Sequence, residues 1–198
     1  MLMKKQNIVI IDYEAGNLQS VKYALERLGV NAEVSNCEKT IRQADKVIFP
    51  GVGEAAWAMK KLRETGLDQL IPQLKQPVLG ICLGMQLMCA RSEEGDTKGL
   101  GLFPVDALKF PAEDKVPHMG WNQIKQLKGK LFEGIKAESY VYFVHSYYVP
   151  LNAYTRAETD YIKAFSASLQ KDNFYACQFH PEKSGDIGQA ILKNFIKL

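Results

Sequence analysis

The sequence predicts an α/β fold: a mostly parallel central sheet flanked by helices, with an antiparallel β section added to it. Three observations carry this. Short β-branched runs at residues 7–12 (NIVIID), 31–35, 46–49 (KVIF) and 77–81 alternate with single helical patterns, which implies right-handed crossovers and parallel strands. The run PVLGICLGMQ, residues 77–86, reads as a buried strand that turns sharply into a helix. From about residue 105 to 179 helical periodicity fades, and runs rich in aromatic and β-branched residues take over at 140–144, 161–165 and 174–179.

The elements follow in order. Residues 7–12 form the first strand. Asn17 can cap a helix whose apolar positions Leu18, Val21, Leu25 and Leu28 keep helical spacing, and Gly29 ends it. PGVG, residues 50–53, follows the third strand. Ala55, Met59 and Leu62 mark a helix that stops near Gly66. The closing helix, from residue 186 to 198, places Ile187, Ala190, Ile191 and Phe195 on one face. Residues 93–101 are the candidate mobile loop. Repeats and low-complexity linkers are not found, so residues 1–198 read as one domain.

Composition narrows the function. With 46% hydrophobic residues the chain can bury a core without disulfides. Its 25 basic and 22 acidic residues are interspersed, and no run is basic enough for nucleic acid. The apolar run at 7–11 is too short for export or for a membrane, and none of Cys37, Cys82, Cys89 and Cys177 forms a CxxC pair. Reduced thiols in a cytoplasmic protein are the expectation. With no P-loop, dinucleotide fingerprint or metal-ligand cluster, neither cofactor nor metal is expected.

Chemistry is expected at Cys82. Gly80 and Gly84 flank it two residues away on either side, the frame of a nucleophile elbow with sulfur in place of a serine oxygen. The turn lifts the thiol to a helix N-terminus, where thiolate is favoured. A thiol nucleophile needs a base, and the three histidines are His118, His145 and His180. His180 precedes Pro181 and should be extended, so that Glu182 shares its face and orients the imidazole. His118 reads as a structural or interface residue. The oxyanion donors expected are the backbone N–H of Leu83 and the loop at Val52 and Gly53.

PVLGICLGMQ together with a C-terminal FHPE resembles the class I (triad) glutamine amidotransferase domains, over the whole chain. These have a flavodoxin-like sheet and hydrolyse glutamine through a glutamyl thioester, releasing ammonia for a second active site. The resemblance assigns Cys82 as nucleophile, His180 as base and later acid, and Glu182 as its orienter. It places Gly51, Gln86, His145, Ser146 and Tyr147 at the glutamine pocket.

Four further motifs, DYEAGN (12–17), PGVG, PHMGWN (117–122) and YFVHSYY (142–148), are similar to those of the glutaminase subunits of imidazole glycerol phosphate synthase. That likeness implies a heterodimer with a (β/α)8-barrel cyclase, which Asn17, Trp121, Tyr142 and Lys183 face. The cyclase would use the ammonia to make imidazole glycerol phosphate and an aminoimidazole carboxamide ribotide in histidine synthesis. It also implies a nearly silent isolated subunit. The glycine pair around Val52 suggests a PGVG peptide that points its carbonyl into the oxyanion hole until the partner's ligand binds. Glu14 stands where that family usually has glycine. The residues leave open an amidotransferase subunit of aminobenzoate or pyridoxal phosphate synthesis, and a stand-alone thiol hydrolase.

Overall fold

The computed structural model describes residues 6–14 and 16–198. The expectations for residues 1–5, and for Ala15 in DYEAGN, lie outside them. The strands are β1 (Ile8–Ile11), β2 (Glu33–Ser35), β3 (Lys46–Gly51), β4 (Val78–Cys82), β5 (Cys89–Ser92), β6 (Thr97–Lys98), β7 (Phe103–Lys109), β8 (His118–Ile124), β9 (Ser139–His145), β10 (Tyr147–Tyr148), β11 (Thr155–Tyr161), β12 (Lys163–Lys171) and β13 (Phe174–Cys177). The helices are α1 (Leu18–Arg27), α2 (Glu38–Gln43), α3 (Ala55–Glu64), α4 (Leu67–Leu70), α5 (Leu83–Met88) and α6 (Gly185–Lys197).

A seven-stranded sheet runs in the order β11-β12-β13-β4-β3-β1-β2. It is parallel from β13 to β2, and antiparallel where β12 and β11 extend it. Successive strand residues point to opposite faces, and two apolar cores result. Val9, Ile11, Val47, Phe49 and Val78 pack with Ala58, Met59 and Leu62 of α3. Ile8, Ile10, Ile48, Leu79 and Ile81 pack on the other side with Val21 and Leu25 of α1 and with Ile191, Leu192 and Phe195 of α6. Asn17 caps α1, its Oδ1 accepting the Ser20 N–H at 3.4 Å. Gly29 follows that helix at φ +77°, a backbone state glycine adopts without strain.

The second half differs from the expectation in detail. Residues 140–144 lie in a separate antiparallel ribbon of β8 and β9, not in the main sheet. Residues 161–165 straddle the β11–β12 turn, with Ile162 at φ +53°. Phe174–Cys177 enters the parallel core beside β4. Residues 93–101, expected as a mobile loop, include a 3-10 turn at Glu94–Asp96 and then β6, paired to β5. Glu94 Oε2 accepts the Ala55 N–H at 2.8 Å, and Asp96 Oδ1 accepts from Arg91 Nε at 2.6 Å; both bonds anchor the segment. Glu14 sits at φ +65°, where glycine is unstrained, and its carboxylate meets Lys61 Nζ at 2.6 Å. Among the described residues no helix is long and apolar enough to cross a membrane.

Candidate active site

Register brings the site together. In the parallel pairs, Gly51 of β3 stands opposite Cys82, and Cys177 of β13 stands opposite Ile81. The three chain segments that leave these strand ends therefore surround one point. This is the carboxyl edge of the sheet, where open α/β folds place their sites.

The turn at Cys82 is strained as the glycine frame requires. Cys82 sits at φ +54°, ψ −108°, and α5 starts at the next residue. A Cβ on Gly84 would come within 2.0 Å of the Phe49 carbonyl oxygen, and one on Gly51 within 2.7 Å of both the Gly84 nitrogen and the Tyr13 hydroxyl. The strand end and the elbow can pack this closely only without those side chains. Tyr13, in the DYEAGN motif but given no role from the sequence, donates its hydroxyl to the Pro50 carbonyl at 2.9 Å and so fixes the start of the glycine loop. Burial, then the Cys82 sulfur, push its pKa up, so it remains a donor.

His180 and Glu182 form a buried pair, with Nδ1 to Oε1 at 2.8 Å. The expected geometry was two extended residues on one face. Instead His180 is extended (φ −99°, ψ 95°), and Pro181–Lys183 is a 3-10 turn that swings Glu182 back under the ring. Among the described residues, Glu182 Oε2 and His180 Nε2 have no hydrogen-bond partner. Burial acts to lower the His180 pKa. The Cys82 sulfur and the Glu182 carboxylate outweigh it and raise that pKa to about 10.

A cavity of about 310 Å3 opens over Cys82. Val52, Gly53, Leu83, Gln86, His145, Ser146, Tyr147 and His180 line it with Cys82, so most of the residues assigned to pocket and oxyanion hole meet there. Gly51 is not on the wall; it lies beneath, opposite Cys82 in the sheet. Glu94 also reaches the cavity and was not anticipated. It belongs to a segment expected as loop, and a single carboxylate there carries no sequence signal.

The amide of Gln86 is already committed. Its Nε2 donates to the Tyr147 carbonyl and to Gln178 Oε1, each at 3.0 Å, which leaves Oε1 for a ligand. His145 Nδ1 donates to the same carbonyl at 2.8 Å. His145 Nε2 then accepts from His118 Nδ1 at 3.1 Å, and His118 Nε2 accepts from Asn122 Nδ2 at 3.2 Å. The tautomers are forced, because the Tyr147 carbonyl and the Asp160 carbonyl, which Asn122 Nδ2 also meets at 3.0 Å, can only accept. Burial lowers the His118 pKa to about 4 and, with the His118 and His180 charges, that of His145 to about 3. Both rings are neutral at pH 7.

Of the residues assigned to a partner face, Trp121 and Lys183 are exposed, while Asn17 and Tyr142 are half-buried. Met119 and Tyr140 widen the exposed apolar surface of the β8–β9 ribbon. The rings of Trp121 and Tyr142 meet at 6.0 Å. Behind them the Tyr142 carbonyl accepts the His180 N–H at 2.9 Å, and Ser184 Oγ accepts the Tyr142 N–H at 2.9 Å while donating to the His180 carbonyl. The backbone of His180 is thus pinned to the strand that carries this surface.

An elbow cysteine, a carboxylate-held histidine and a sheet of this topology define a class. The family model described as "Glutamine amidotransferase class-I" matches residues 9–198. The chain is 59% identical to the imidazole glycerol phosphate synthase subunit HisH of Bacteroides fragilis (strain ATCC 25285), over 96% of this chain and 99% of that one. It is 58% identical to the subunit of the same name in Bacteroides thetaiotaomicron, with the same coverage, and 47% identical to that of Photorhabdus laumondii. The chain therefore belongs to the class-I glutamine amidotransferases and, within them, to the HisH subunits of imidazole glycerol phosphate synthase. Solved structures share the fold at lower identity. A glutamine amidotransferase from Thermotoga maritima matches with TM-score 0.61 and 17% identity, covering 98% of this chain and 82% of that one. PurLQS from the same organism matches with TM-score 0.72 and 15% identity, covering 98% of this chain and 99% of that one.

Proposed function

We propose that the chain hydrolyses glutamine through a Cys82–His180–Glu182 triad and passes the ammonia to a barrel cyclase partner. The observation that carries this reading is the unpaired, buried His180 Nε2, in a cavity shared with Cys82, while Nδ1 is held by Glu182.

The Cys82 thiolate attacks the carboxamide carbon, and the oxygen takes the negative charge. The backbone N–H of Leu83 and the loop at Val52 and Gly53 would receive that oxyanion; each such donor is worth roughly 2.7–4 kcal/mol in acyl transfer. His180, as imidazolium, gives its Nε2 proton to the nitrogen, the C–N bond breaks and ammonia leaves. The resulting thioester is attacked by water, whose proton His180 takes. The C–S bond then breaks to give glutamate and the starting thiolate. Glu94 and Gln86 Oε1 would accept from the α-ammonium of glutamine. Gly53 sits at φ +96°, and a Cβ there would meet nothing within 4 Å. A positive φ is a state that glycine holds without strain, which suits a loop that completes the hole only when the partner is loaded.

The test is to isolate the chain with its barrel cyclase and to assay synthesis with glutamine or with ammonium salts. Cys82→Ala should abolish the glutamine reaction and leave the ammonium reaction intact. Glutamine-driven synthesis at the wild-type rate in that variant would sink the reading. Capture of a chorismate-using synthase, with no cyclase, would move the ammonia to another pathway.

A further inference from the structure

We propose that Gln178 is a further catalytic residue: its side-chain amide donates to the Cys82 sulfur and holds it as thiolate. This rests on the reading of Cys82 as nucleophile. Continuing the β13–β4 register by one residue sets Gln178 beside Cys82. Gln178 is fully buried, and its Nε2 lies 3.8 Å from Cys82 Sγ, within reach of an N–H···S bond.

The direction of that bond is dictated by its neighbours. Gln86 lies four residues along from Cys82, on the same side of α5. The Tyr147 carbonyl can only accept, so it fixes the Gln86 Nε2 at its 3.0 Å contact. The second proton of that nitrogen points to Gln178 at 3.0 Å, which must present oxygen there. Gln178 therefore turns nitrogen toward the sulfur. In the thiol state Sγ–H has the Val144 carbonyl at 3.8 Å as acceptor. Loss of the proton costs that contact and strengthens the one from Gln178, since a donor to an ionised acceptor is the stronger bond. The amide thereby works on the state of the sulfur before any substrate arrives, independently of the oxyanion donors.

The measurement is the pH profile of Cys82 alkylation by iodoacetamide, read by peptide mass spectrometry in a Cys37→Ser background that removes the exposed thiol. Gln178→Leu and the isosteric Gln178→Glu, checked for folding by circular dichroism, should move the midpoint up by about one unit, a tenfold loss of thiolate below it. An unmoved midpoint in a folded variant overturns the proposal. The unmodified chain gives a second readout: the Gln178 side-chain amide resonance should titrate with the Cys82 midpoint, and a flat signal also overturns it. His180→Asn separates the two readings. If it shifts the profile and Gln178→Leu does not, only the present proposal falls; if Gln178→Leu shifts it and His180→Asn does not, the triad falls and Gln178 stands.

Discussion

The Gly84 Cα faces the Phe49 carbonyl so closely that a methyl group there would stand 2.0 Å from the oxygen. Neither partner can yield, since one is the elbow and the other the neighbouring strand. Gly84→Ala should cost at least about 3 kcal/mol. Gly80→Ala first meets the flexible Met88 thioether at 2.8 Å, with backbone atoms at 3.1 Å, and should cost about 1 kcal/mol. Denaturant unfolding of the two variants checks the order.

Glu182→Gln keeps an oxygen that can accept from His180 Nδ1 but removes the charge that stabilises the imidazolium. Turnover in the complex should fall by about 10²–10⁴-fold, with KM for glutamine little changed. Steady-state kinetics with glutamine measures this, and the ammonium-driven reaction serves as control.

Stability should decline in mild acid. His118 and His145 are buried as neutral rings, so their folded pKa values lie below the ordinary histidine value near 6.5. The unfolded chain binds protons that the folded chain refuses. The contribution is fully present above pH 6.5 and is lost as pH falls toward about 4 and then about 3. The slope is up to about 1.4 kcal/mol per pH unit for each ring. His118→Phe removes one of the two, so the pH dependence of its unfolding free energy between pH 6.5 and 4.5 should be shallower by one proton.

Glu94→Gln should raise the KM for glutamine about tenfold with a smaller change in kcat, because it withdraws a charge from the cavity wall and keeps a group that can still accept the Ala55 N–H. A fall confined to kcat, with KM unmoved, would argue that Glu94 does not meet the substrate.

Much of this was legible in the chain because the parallel half is locally encoded. The apolar runs of β1, β3 and β4 are buried strands, β2 being the exposed edge, and the glycines around Cys82 answer to one carbonyl and one thioether. The His180–Glu182 pair was readable because Pro181 restricts His180, although the turn that returns Glu182 was not. α2 and α4 escaped notice because helices of six and four residues show too little periodicity. The β8–β9 ribbon escaped because an aromatic run says that a strand forms and leaves its neighbour unnamed. Gln178 and Tyr13 lie in or beside motifs that assign them no role. Their importance lies in contacts between residues 178 and 82 and between 13 and 50, set by strand register alone.

The string of side chains from Asn122 to Gln178 has a polarity with one sink. Donors arrive at the Tyr147 carbonyl from His145 on one side and from Gln86 on the other, and a carbonyl passes nothing on. Such a chain cannot conduct: hydrogen ions do not hop from the ribbon surface to the sulfur or back. In the proposed reaction, whatever His180 gives up or takes in travels with the departing amine or with water in the cleft. The hydrogen ions of the proposed reaction are thus exchanged within the cavity over Cys82 and not along the side chains behind it.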